Sequence, residues 1–81
     1  MTRTEIIEKI QPVACEVFSQ PGLEITDSLC ANTLPAWTSL SFTQFLTKLE
    51  VMFDIKFKMM EILKMQNMGE IISVIEKRVN A

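Results

Sequence analysis

"LPAWTSLSFTQFLTKLEVMFDIKF", residues 34–57, decides how the chain is read. After Pro35 the apolar residues Phe42, Phe45, Leu46, Leu49, Met52 and Phe53 recur at intervals of three and four. That is the period of one face of an α-helix. The spacing predicts a helix over Ser39–Phe53 with this face turned to the core and with Ser41, Thr43, Gln44 and Thr47 facing outward. "FDIKF" alternates, but over too few positions to build a sheet, and serves as the turn out of the helix. Ser39 stands in the first turn, beside Thr38 and just after the lone tryptophan, Trp37.

The same period governs both flanks. Upstream, a helix is expected from about Thr4 to Phe18, with Thr4 as its cap and Glu5 and Glu8 at the positive end of its dipole. Ile6, Ile10, Val13 and Val17 form its buried stripe. Pro12 conflicts with an unbroken helix, because an interior proline costs about 3 kcal/mol and bends the axis. The stripe runs through it, which favours one kinked helix; the alternative is a break with Pro12 opening a second segment. Residues 19–37 form a long connection punctuated by Pro21, Gly22 and Pro35. Leu23, Ile25, Leu29 and Leu34 are its candidate anchors, and Asp27 or Ser28 can cap a short turn. Downstream, a short helix is expected near Met59–Leu63. The last helix begins at Asn67, where "NMGE" has the form of a capping box between Asn67 and Glu70. Ile71, Ile72, Val74, Ile75 and Val79 supply its apolar face, and Lys77 and Arg78 suit its C-terminal end. The expected fold is all-α: one domain over residues 1–81, a four-helix bundle of three main helices and a short third one, with a long first loop.

Composition narrows the function. The 81 residues carry a net charge of −2 and 48% apolar residues. There is no electrostatic footprint for nucleic acid, and Gln44 and Lys48 alone do not make a recognition helix. No apolar run approaches a membrane span. "MTRTEIIEKI" has acids within its apolar stretch, unlike a signal peptide, so a cytoplasmic location is expected. The chain has no histidine, which removes Cys–His and Ser–His dyads and the commonest nitrogen ligand of zinc. With no convincing acid pair around a nucleophile, no enzymatic activity is expected. Cys15 and Cys30 are expected as free thiols, Cys15 packing as a small hydrophobe and Cys30 in a loop.

From Ser39 onward the chain resembles the acyl carrier proteins and the related peptidyl carrier domains. The resemblance rests on Ser39-Leu40, on Leu49-Glu50 and Phe53-Asp54 closing an amphipathic helix, on the apolar pair Ile55 and Phe57, and on the final segment "NMGEIISVIEKRV". The opening helix and "LEITDSL" fit as well, so the similarity spans essentially the whole chain. It implies a 4′-phosphopantetheine arm on Ser39, attached by a phosphopantetheinyl transferase from coenzyme A with magnesium. The arm's thiol would hold an acyl or aminoacyl group as a thioester for enzymes of fatty-acid, polyketide or other specialised biosynthesis. A monomer is implied, with partner docking at Leu40, Thr38, Thr43, Thr47 and Phe57. Independently of the resemblance, a serine in the first turn of a helix sets a phosphodiester near unpaired N–H groups and the positive dipole end. The plainer reading of Ser39 or Thr38 is a helix cap. Ser28, in the tidier triplet Asp27-Ser28-Leu29, is followed by "CANTLPAW", which has no helical stripe.

Two features depart from the family pattern. Thr38 stands where the family has an aspartate that aids transferase recognition. The helix over Ser39–Phe53 carries only Lys48 and Glu50, where fatty-acid carriers are strongly acidic, and Lys56, Lys58 and Lys64 follow it. The first implies that Ser39 is modified slowly or only by a matched transferase, or stays unmodified; the second favours a specialised carrier whose partners recognise shape and apolar contacts. They also sustain an alternative, a non-enzymatic helical interaction domain that has lost the prosthetic group. Met52, Met59, Met60, Met65 and Met68 are expected to fill core gaps, or else to form a pliable wall for an acyl chain.

Overall fold

The four expected stretches are all helices in the computed structural model, which describes residues 1–80: α1 (Arg3–Val17), α2 (Ser39–Phe53), α3 (Met59–Leu63) and α4 (Met68–Val79). There is no strand among the described residues. The protein is an all-α four-helix bundle in which α1 packs against both α2 and α4.

α1 starts earlier than the sequence suggests. Its cap is Thr2, not Thr4. Thr2 Oγ1 accepts from the Glu5 N–H at 3.2 Å, and Glu5 Oε1 accepts from the Thr2 N–H at 2.8 Å. A cap at Thr4 would place Ile7 at the reciprocating position, and an isoleucine has no acceptor. The hydrogen bond from the Thr2 backbone holds the Glu5 carboxyl below its ordinary range. α1 runs without a break through Pro12, which is exposed. The buried stripe is Ile6, Ile10, Ala14 and Phe18, with Val13 and Val17 only half-buried. At 100° per residue, Ile10 and Ala14 lie on the side of the helix opposite Pro12. The proline ring denies the Glu8 carbonyl its helical donor, and an outward-facing site lets water replace it.

α2 contributes Phe45, Leu46 and Leu49 to the core, and α4 contributes Met68, Ile71, Ile72 and Ile75. Phe42 and Phe53 are half-buried, whereas Met52 is exposed. Asp54 ends α2 in the left-handed region, at φ 54°, which a short polar side chain tolerates. The Glu50 carboxylate then accepts from the Phe57 N–H at 2.8 Å and fixes the turn that follows.

The long loop is stapled to the bundle rather than draped over it. Leu34 is buried, and Leu23, Ile25 and Leu29 pack against the core. Trp37 stacks between Phe18 at 5.4 Å and Phe42 at 5.8 Å. The N–H groups of Met68 and Gly69 donate to the carbonyls of Leu29 at 2.7 Å and Asp27 at 3.0 Å. A Cβ on Gly69 would stand 2.9 Å from the Asp27 Cβ, so this approach requires glycine. Asp27 caps no turn with its side chain; its carboxylate pairs with Arg3 at 3.1 Å, and Arg3 also donates to the Gly69 carbonyl at 3.2 Å.

Asn67 caps α4 as the sequence predicts, accepting from the Glu70 N–H at 2.9 Å. The reciprocal half of the box does not form, because the Glu70 carboxylate takes the Gln66 N–H instead, at 3.2 Å. The methionines divide. Met65 and Met68 are core residues, while Met52, Met59 and Met60 are exposed.

Candidate functional site

The start of α2 is built by two residues that flank the serine. Thr38 is the cap: its Oγ1 accepts from the Ser41 N–H at 3.2 Å, and Ser41 Oγ accepts from the Thr38 N–H at 2.8 Å. Ser41 is buried, 8% exposed, and its hydroxyl donates to the Ala36 carbonyl at 2.7 Å. The sequence places Ser41 on the outer face; the structure turns it inward. A small polar residue three places after a threonine at a helix start is the signal that identifies it.

Ser39 is the first residue of α2 and is exposed. Thr38, Ser41, Thr43 and Thr47 all have their hydroxyls committed. Thr43 Oγ1 donates to the Ser39 carbonyl and Thr47 Oγ1 to the Thr43 carbonyl, each at 2.9 Å. Ser39 is the one hydroxyl of the group with no protein partner among the described residues. Its backbone N–H and that of Leu40 are also free of protein acceptors, as the geometry of a helix start leaves them. No acidic residue lies in the first turn. The surroundings of Ser39 therefore suit an anion.

Leu40 is 69% exposed beside the serine. Thr43 and Thr47 are exposed along the same helix. Both hydroxyls are bonded back to the backbone. Both charges of α2 are engaged elsewhere: Lys48 pairs with Glu16 at 3.1 Å, and Glu50 holds the Phe57 N–H. Phe57 is at the edge of the core, 9% exposed, and has little surface for docking. The structure thus brings Ser39, Leu40, Thr43 and Thr47 onto accessible surface of one helix, with Thr38 as its cap, and keeps Phe57 apart.

Comparison with protein-family models, curated proteins and solved structures returns no match.

Other candidate groups lie away from this site. Ser28 is exposed in the turn closed by the Leu29 N–H on the Thr26 carbonyl, not at a helix start. Cys15 and Cys30 are free and half-buried. Hydrogen bonds from the Asn32 backbone and from Thr33 draw the Cys30 thiol below its ordinary range. No group of three or more acidic or cysteine side chains able to hold a metal ion occurs among the described residues. No helix there is long and apolar enough to cross a membrane.

Proposed function

We propose that this protein is a carrier: 4′-phosphopantetheine is attached to Ser39, and the arm delivers an acyl or aminoacyl group to partner enzymes. The observation that carries this reading is the uncommitted hydroxyl of Ser39. It stands exposed at a helix start whose four neighbouring hydroxyls are all hydrogen-bonded. The residues present fit an anionic phosphodiester, since the N–H groups of Ser39 and Leu40 are free and no carboxylate lies in the first turn. When bound, the arm supplies a thiol that holds cargo as a thioester. The protein supplies a rigid base for it, set by the Thr38–Ser41 cap and the buried face of α2. Leu40, Thr43 and Thr47 offer an uncharged docking face beside the attachment point, with Thr38 at its edge. Tethering raises the effective concentration of cargo at each docked enzyme.

The test is intact-protein mass spectrometry after incubation with coenzyme A, magnesium and a broad-specificity phosphopantetheinyl transferase. The expected result is a gain of about 340 Da, the mass added by the arm, absent in Ser39→Ala. A larger yield in Thr38→Asp is expected if the uncharged cap slows the transferase. No gain in either the parent or Thr38→Asp overturns the proposal.

A further inference from the structure

α3 inverts the usual distribution of apolar side chains. None of its five residues is buried. Met59, Met60 and Leu63 are 68%, 67% and 65% exposed. Leu63 lies three and four positions from the two methionines, so the three share one face. Three such side chains on one face approach the few hundred Å² that marks an interaction site. Lys56, Lys58 and Lys64 flank or adjoin the helix in sequence, all exposed and none in an ion pair among the described residues. Glu61, the acid within the helix, faces away and is neutralised by Arg78, whose Nη2 lies 2.8 Å from its Oε1.

The patch is also held in place. Phe57 and Met65 are buried at its two ends. Glu61 Oε1 accepts from the Lys58 N–H at 2.8 Å, and Arg78 Nη2 donates to the Lys56 carbonyl at 2.7 Å. A surface fixed by its own hydrogen bonds loses little freedom on binding.

We propose that α3 and its flanks, residues 56–64, form a docking surface for a helix of a partner protein whose apolar face is flanked by carboxylates. The three lysines supply the charge complementarity, and the Met–Met–Leu face supplies the contact. Methionine suits such a role, because its flexible side chain adapts to an irregular partner. An anionic membrane fits less well. Interfacial helices present an apolar stripe along a longer length, and the protein as a whole carries a net charge of −2. The surface does not depend on Ser39 or on any group attached there.

The test is a titration of the full ¹⁵N-labelled chain with a synthetic helical peptide that has leucines on one face and glutamates flanking them. Shift changes are expected at residues 56–65, weakening as salt is raised. The charge reversal K58E/K64E should weaken binding about tenfold or more, and should create binding to a matched peptide with lysines in place of the glutamates. M59S/L63S should weaken the original complex while leaving the circular dichroism spectrum unchanged, since neither side chain is buried. Shifts centred on Leu40–Thr47, an affinity indifferent to K58E/K64E, or no shift at all would overturn the proposal. So would binding through residues 56–65 to phosphatidylcholine vesicles containing about 30% phosphatidylserine, with the peptide inert.

Discussion

The starts of α2 and α4 obey the same local chemistry and meet opposite fates. Each is capped by a polar side chain, Thr38 in one and Asn67 in the other. Each leaves N–H groups of its first turn without helical partners. At α4 the loop carbonyls of Asp27 and Leu29 close over the N–H groups of Gly69 and Met68, and Arg3 is laced across the junction. At α2 no carbonyl among the described residues accepts from the N–H groups of Ser39 and Leu40. Helix starts attract anions in general, but only an unsealed one has room for a ligand. The difference is set by where the loop packs, not by the caps.

Breaking the sealed end should have the largest effect. Gly69→Ala forces a methyl group into the Asp27 backbone, and overpacking of this kind costs about 2 kcal/mol, or roughly 10 °C in Tm for a domain of this size. Thermal unfolding measures it; an unchanged Tm would mean that the loop is not held against α4 as described. Next comes the scaffold of the open end. Ser41→Ala leaves the Thr38 N–H and the Ala36 carbonyl without their partner, at about 1–2 kcal/mol in urea unfolding.

The open end itself should be nearly silent. Ser39→Ala removes a hydroxyl that bonds nothing, so stability should move by less than about 0.5 kcal/mol while any modification disappears. Thr38→Asp keeps a capping acceptor and should likewise stay within about 0.5 kcal/mol. A large loss in either variant would show that the two helix starts are more alike than the geometry indicates.

The smallest effect lies outside both ends and calibrates them. The hydrogen bond from Arg78 is the main cause holding the Glu61 carboxyl below its ordinary range. A carboxyl lowered in the folded state adds stability above its unfolded pKa, and that stability is lost as pH falls through the folded value. Stability measured from neutral pH down into the acid range should therefore decline with a shallower slope in Glu61→Gln than in the parent. Identical slopes would mean that the pair with Arg78 does not persist in solution.

Much of this was legible in the residues. The three–four spacing located α2, and Asn67 announced α4. The first cap was misplaced because Thr2 and Thr4 are both acceptable alone, and only the reciprocal Glu5 separates them. Ser41 was missed because spacing put it on the outer face, while the Ala36 carbonyl that turns it inward comes from the loop. Three of the methionines were misassigned because periodicity cannot say whether a neighbour exists. A face is buried only if another element covers it, and no other helix covers the outer face of α3.

The order of the helices and the apolar faces of the three long ones follow from the residues themselves. So does a serine at the start of α2. These properties depend on side chains within a turn or two of each other. The closing of one helix start and the opening of the other were decided by the tertiary structure. They depend on residues 27 and 29 meeting residues 68 and 69, a contact that glycine permits by steric absence and that no local pattern encodes.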